Sequence, residues 1–239
     1  LIGIPGEVDR YHLKVLQFFK NKYYIFVLEY TLKVYSSTNM DKKPTKGKYL
    51  EAILRSSKTV FSIKDVSLMW SEDNESIISI RLNKYQRAGK LIRVRRGYYV
   101  KDDNYNRFEL ATRIYTPAYI SFETVLTREG INFQYYGNIF VASYLNREIN
   151  VGDQKITFVR MKDYVLSNDI GIEHKNSYAV ASCERAFLDR IYVSKDYHFD
   201  NLANLNWDKV FEILPFYENK CMEKKVKEYF KSYQSNQTI

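Results

Sequence analysis

The chain has 239 residues and a mass of 28.5 kDa, which suits one large domain or two modest ones. A hydrophobic content of 45% supports a core and excludes a wholly disordered chain, and four prolines with nine glycines exclude collagen-like and linker-like sequences. The net charge of +9 is unevenly held: residues 40–100 carry fourteen Lys/Arg against six Asp/Glu, a net of +8, whereas residues 1–39 carry +2 and residues 101–239 carry −1.

Residues 1–39 are apolar and aromatic in patches, with Tyr23 to Leu28 the longest clean run. Lys14, Lys20, Lys22, Glu29 and Lys33 break every longer stretch, so the segment is too short of apolar residues to span a membrane. It also lacks the small-residue cleavage site of a signal peptide. Two readings stand for it: an extension that packs on the body, or upstream sequence read in frame, with translation starting at Met40. The position of Met40 just before the first well-patterned segment favours the second. With no signal or anchor evident, the expected location is the cytoplasm, and Cys183 and Cys221, too few for a disulfide scaffold, fit a reducing compartment.

From Met40 onward the pattern predicts short helices. Leu50, Ile53 and Leu54 fall on one face of a helix over residues 47–57. Ser62 reads as an N-cap for a helix from Ile63 to Trp70 that buries Val66, Met69 and Trp70. A turn at residues 71–74 leads to a third helix from Glu75 to Ala88, with Ile78, Leu82 and Tyr85 as its apolar stripe and Gly89 as a left-handed cap. Lys90 to Val100 alternates in the manner of a hairpin turning at Gly97. Three helices followed by a basic hairpin is the order of a winged helix-turn-helix.

The residues turned away from that apolar stripe suit double-stranded DNA. Ser79, Asn83, Gln86 and Arg87 are predicted to face outward, flanked by Arg81 and Lys84; Asn and Gln pair with adenine, and Arg with guanine. Lys90, Arg93, Arg95 and Arg96 of the hairpin are placed near phosphates or a minor groove. Thr59, Ser62 and Lys64, around a helix start, offer a phosphate site. A basic helix face is also simply a solvated surface, and some winged helices bind proteins rather than DNA. The concentration of +8 on about sixty residues favours nucleic acid.

The remainder predicts a mixed α+β domain. A helix begins at residues 106–114. Tyr119-Ile120-Ser121 reads as a strand end and N-cap, leading to a helix that Gly130 stops. Strands follow at residues 138–143, 148–151 and 155–159, the last two joined by a turn at Gly152-Asp153, and one more at residues 178–181. Ser182 caps a helix whose apolar side holds Ala186, Phe187, Leu188 and Ile191; helices from about Trp207 to Leu214 and from Asn219 to Tyr233 finish the chain. The fold class is therefore α+β, in three parts: residues 1–39, a winged helix-turn-helix over 40–100, and a larger mixed domain over 101–239.

Three stretches resemble AbiEi-type antitoxins: Leu82-x-x-Tyr85-x-x-Ala88-Gly89-Lys90-Leu91 with Arg96-Gly97-Tyr98-Tyr99; Pro117 to Leu126 with Gly130; and Val180 to Asp189. Their order and spacing run from about Met40 to near Tyr233. Membership implies a regulator of an abortive-infection toxin–antitoxin operon. Its N-terminal domain binds operator repeats and represses its own operon. Its remainder counteracts a nucleotidyltransferase-type toxin without a stable complex.

Catalytic readings are weaker. Asp153 and Lys155 have the Asp-x-Lys form of a metal-dependent nuclease, the alternative from another class, but sit on a hairpin turn with no clear upstream acid. Asp196, His198 and Asp200 are spaced as loop polar residues rather than as a ligand set. Cys183, at a helix start, reads as a structural thiol. Arg185 and Asp189 are four residues apart, an ion pair of about 0.3–0.5 kcal/mol if exposed. No catalytic residue, metal, cofactor or membrane partner is expected.

Overall fold

The computed structural model describes residues 47–134, 136–194 and 196–237. The extension over residues 1–39, Met40 and the expected start of the basic domain lie outside the described residues. The described chain is mixed α+β. In order it runs α1 (Lys48–Arg55), β1 (Val60–Ser62), α2 (Ile63–Trp70), α3 (Glu75–Arg87), β2 (Ile92–Arg95), β3 (Tyr98–Val100), α4 (Arg107–Ile114), β4 (Ala118–Ile120), α5 (Glu123–Arg128), β5 (Asn138–Ser143), β6 (Arg147–Val151), β7 (Gln154–Arg160), α6 (Asp163–Leu166), β8 (Ile172–His174), β9 (Ala179–Ala181), α7 (Cys183–Val193), α8 (Trp207–Ile213), a 3-10 turn (Leu214–Tyr217) and α9 (Lys220–Gln237). Among the described residues no helix is long and apolar enough to cross a membrane.

The chain forms two compact units. The first comprises residues 47–55 and 64–78; the second comprises residues 56–63 and 79 onward. In the first unit Trp70 is fully buried, its Nε1–H donating to the Tyr49 carbonyl at 2.9 Å while the two rings meet edge to face at 5.1 Å. Tyr49, Ile53 and Val66 are buried with it, whereas Leu54 is exposed, so the buried face of α1 is turned from the predicted Leu50–Ile53–Leu54 line toward Tyr49. Asn74 starts α3. Its Oδ1 accepts from the amides of Ser76 (3.0 Å) and Ile77 (3.3 Å), the capping bonds that free helix amides need.

The second unit contains both sheets. The smaller has the order β1-β3-β2, all antiparallel, so the expected hairpin gains a third strand through Val60↔Val100 and Ser62↔Tyr98. The larger has six strands in the order β6-β7-β5-β4-β9-β8, with β5/β7 and β4/β9 parallel and the other pairs antiparallel. One apolar cluster runs from Val60 and Val100 through Phe122, Phe158 and Phe187 to Val226, and includes both sheets. Neither β1, α6 nor β8 is foreshadowed by the sequence pattern.

The middle of that cluster is polar. Asp189 of α7 is 0% exposed and accepts four hydrogen bonds. Tyr217 Oη (2.6 Å) and Arg185 Nε (3.2 Å) donate to Oδ1; Ser121 Oγ (2.7 Å) and Tyr119 Oη (3.0 Å) donate to Oδ2. Arg185, 1% exposed, also donates to the carbonyls of Val165 (2.7 Å), Ile170 (2.8 Å) and Asn168 (3.3 Å) and to Tyr119 Oη (3.0 Å). Its guanidinium lies 5.4 Å from the centroid of each of the Tyr119 and Tyr217 rings. Burial, and then the Asp189 carboxylate, push both tyrosine hydroxyls well above their ordinary range, so both remain donors. The exposed-pair energy expected from the i,i+4 spacing therefore does not apply.

Two local features follow from this arrangement. Ser121 is spent on Asp189, so it is not the cap of α5; Phe122 holds that position with φ +54°, ψ −140°, a left-handed-side backbone that costs a bulky residue about 1–3 kcal/mol. Gly171, at φ +75°, passes so close to α7 that a Cβ there would lie 2.9 Å from Arg185 Cβ and 2.9 Å from Ile213 Cδ1.

Replacing Asp189 by Ala leaves the Arg185 charge buried without its carboxylate. The expected loss is about 3–5 kcal/mol, or a fall in Tm of roughly 10 °C for a chain of this size. The double change Arg185→Met with Asp189→Leu should recover much of it. Thermal melts compare the three; an Asp189→Ala melt within about 1 kcal/mol of wild type contradicts the arrangement.

Candidate nucleic-acid interface

The basic residues of the second unit that were expected to meet DNA lie on α3 after Ser79, at Lys90 and on the β2–β3 hairpin. The apolar stripe forms as expected: Ile78 and Leu82 are fully buried and Tyr85 is half-buried. At its end Gly89, at φ +66°, closes the helix; the Lys90 amide donates to the Tyr85 carbonyl at 2.9 Å and the Gly89 amide to the Gln86 carbonyl at 3.0 Å. This is the paired geometry of a left-handed cap, which lets the chain turn directly into β2.

The outward face is rotated from the predicted one. Ser79, Arg81 and Asn83 are half-buried, whereas Lys84, Gln86, Arg87 and Lys90 are exposed. Ile80 is 69% exposed and shares with Lys84 and Arg87 the i, i+4, i+7 spacing of one stripe. Two residues beyond Ile78, Ile80 lies roughly 200° around the helix from it and so opposite the buried stripe. Asn83 also serves inside the unit, where its Oδ1 accepts from the Tyr99 hydroxyl at 3.1 Å and joins α3 to the central strand of the small sheet. On the hairpin Arg93 and Arg96 are exposed and Arg95 is half-buried. The register slips between Arg93 and Arg95, which pair with the successive residues Tyr99 and Tyr98, so the two do not share one face as residues two apart in an ideal strand would.

Ser62 ends β1, half-buried, immediately before α2, and the exposed Lys64 belongs to the first unit. Thr59 spends both of its donors inside the unit. Its amide (3.1 Å) and Oγ1 (2.6 Å) both donate to Glu109 Oε2, and its Oγ1 accepts from the Asn106 amide at 2.9 Å. Glu109 is 1% exposed; its Oε1 lies 3.2 Å from Arg113 Nη1, which also donates to the Val60 carbonyl at 2.6 Å. Tyr98 completes the arrangement by donating to the Arg113 carbonyl at 2.8 Å. The small sheet that carries the arginines is thus bonded to α4 at both β1 and β3.

The groups considered for catalysis are engaged elsewhere. Asp153 faces Arg107 at 3.3 Å and Lys155 faces Glu148 at 2.8 Å. Asp196 pairs with Lys225 at 3.7 Å, and His198 lies 3.7 Å from Asp200. Among the described residues no three His, Cys, Asp or Glu side chains converge as metal ligands would. Glu184 is buried, accepting from Ser182 Oγ (3.0 Å) and the Asn206 amide (3.3 Å). Arg185 and Asp189 are likewise interior, so the motif of α7 offers little surface to any partner.

The sequence matches no protein-family model and no curated protein. A crystal structure of the RV2827C protein from Mycobacterium tuberculosis is similar over 78% of this chain and 71% of that one, with a TM-score of 0.41 and 9% identity.

Burial, reinforced by the Glu184 carboxylate, pushes the Cys183 thiol up to about 12. At pH 8 the thiol form therefore dominates. A thiol reagent at pH 8 should label exposed Cys221 and leave Cys183 until the protein unfolds. Mass mapping of the labelled chain reads this; rapid native labelling at Cys183 contradicts it.

Proposed function

We propose that residues 40–100 form a winged helix-turn-helix that reads operator DNA, and that the protein is a self-repressing antitoxin of the AbiEi type. The observation that carries the reading is the coincidence of charge and exposure. Lys84, Arg87, Lys90, Arg93 and Arg96 are all solvent-exposed, on a helix and a hairpin consecutive in the chain. The helix enters a major groove with Gln86 and Arg87 toward base edges and Ile80 suited to a thymine methyl. The hairpin lies along the backbone with Arg93 and Arg96 near phosphates. Asn83 and Arg81, half-buried, orient the helix more than they read bases. Ser62, Lys64 and Ser79 contribute at the margin.

The role follows from the resemblance at residues 82–99, 117–130 and 180–189. The protein represses its own operon from the cytoplasm and counteracts a nucleotidyltransferase-type toxin without holding it in a stable complex. It performs no chemistry of its own in this reading. A nucleotidyltransferase-like reading frame beside its gene is expected, and a neighbourhood without one removes the antitoxin half.

Gel shifts on the DNA upstream of the gene, across a salt series, test the DNA half. Arg87→Ala and Arg96→Ala should each weaken binding, Arg87→Ala by about 1–3 kcal/mol at a base-reading position. Arg96→Ala should also reduce the slope of log affinity against log salt by about 1. Wild-type affinity in both variants rejects the interface.

A further inference from the structure

A well-formed hollow of the second unit holds none of the hairpin arginines and plays no part in DNA binding as proposed. It is a cavity of about 590 Å³ between the start of α4, the end of α5 and the start of β5. That volume lies within the range of sites that take small ligands. Phe108, Tyr136 and Ile139 make its apolar surface, and Arg107 and Arg128 stand on its wall. Each ring has an aromatic neighbour: Phe108 meets Tyr178 edge to face at 5.5 Å, and Tyr136 meets Phe140 at 6.0 Å.

The charges on the wall leave it receptive to an anion. Arg107 is held through Nη1, at 3.3 Å from Asp153 and 3.2 Å from Gln154, and Arg128 through Nε, at 2.9 Å from Glu129. A guanidinium has five N–H donors, and these contacts engage one nitrogen of each. Both pairs are well exposed, with arginine side chains 45% and 47% accessible, so they are weak and yield readily to a better anion. Glu123, also on the wall, is buried and turns Oε1 to Arg190 at 3.4 Å, while its Oε2 has no hydrogen-bond partner, so the anion is expected at the arginine side of the cavity.

We infer that this cavity binds a flat aromatic molecule bearing an anionic group. The ring packs against Phe108 and Tyr136, and the anion takes the free edge of Arg128 or Arg107. Bidentate recognition of phosphate or carboxylate is the particular strength of arginine. The two natural sources of that chemistry are a nucleotide and an aryl carboxylic acid. The site stands independently of DNA binding.

Calorimetric titration of the full chain without DNA tests it. The probes are adenosine 5′-monophosphate, 2-naphthoate, adenosine and inorganic phosphate. At least one aromatic anion should bind with a Kd below about 1 mM, with adenosine and phosphate at least about tenfold weaker. The tighter of the two anions identifies the source. Arg128→Ala should keep the wild-type circular dichroism spectrum and weaken the bound anion by about tenfold or more. No binding by either anion, equal binding of neutral adenosine, or undiminished binding by Arg128→Ala overturns the proposal. Because no DNA is present, failure here leaves the operator assay untouched, and the converse holds.

Discussion

The buried Arg185–Asp189 pair organises the larger sheet. Two opposite charges taken out of water are tolerated only when every donor and acceptor is answered. Here the five guanidinium N–H groups meet Asp189, Tyr119 and three backbone carbonyls, and the carboxylate accepts from four donors. The partners come from β4, the turn after it, α6 and the loop that follows, α7 itself and the 3-10 turn before α9. Segments as far apart in the chain as Tyr119 and Tyr217 are held to one pair of side chains, because none can leave without stranding a buried charge. The same demand explains why residue 171 is a glycine: the chain must pass Arg185 too closely for a side chain.

Glu109 repeats the device on a smaller scale beside the small sheet. Its carboxylate takes both donors of Thr59 and an arginine that in turn holds the Val60 carbonyl. A flexible tether after the hairpin would leave a basic module free to tumble. Here α4 begins within a few residues of β3 and is hydrogen-bonded back to β1. The boundary between basic and near-neutral sequence is thus a change of charge, whereas the apolar interior continues across it from Val100 to Leu110.

What the sequence discloses follows from which interactions are local. The stripe Ile78–Leu82–Tyr85 and the glycine cap at 89 are helix-period and helix-end signals within one turn of each other, and both appear as read. Strands β5, β6 and β7 alternate strongly enough to be found within a residue of their ends. Misreadings come where a distant partner decides. Ser121 has the chemistry of a cap, but an aspartate sixty-eight residues away claims its hydroxyl. Leu54 has the character of a core residue, but Tyr49 takes the buried place beside Trp70. The spacing of Arg185 and Asp189 is visible, yet spacing says nothing about dielectric, and burial changes the meaning of the pair. Three-residue strands such as β1 and β8 carry too few alternations to announce themselves. In the basic segment, residue types give the right charges and place Ser79, Asn83, Gln86 and Arg87 outward; Gln86 and Arg87 are exposed, whereas Ser79 and Asn83 are half-buried against neighbours that spacing does not reveal.

The strand order β6-β7-β5 also governs how the chain can assemble. Strands β5 and β6 are consecutive, joined only by residues 144–146, yet they are not neighbours: β7, made last, lies between them. The two flanking strands stand two strand-spacings apart, roughly 10 Å, and have no bonds to each other before β7 arrives. A β5–β6 hairpin therefore cannot nucleate this half of the sheet. The β6–β7 hairpin can, because its turn needs only Gly152 and Asp153 between the paired Val151 and Gln154. That preformed ribbon must then approach β5 with β7 leading and settle Ile139 opposite Ile156 and Val141 opposite Phe158. A slip of one residue at this step would turn Ile156 and Phe158 to the outer face. Correct threading of half the sheet thus rests on a parallel docking that no tight turn prearranges, a slower kind of step than the closing of a hairpin.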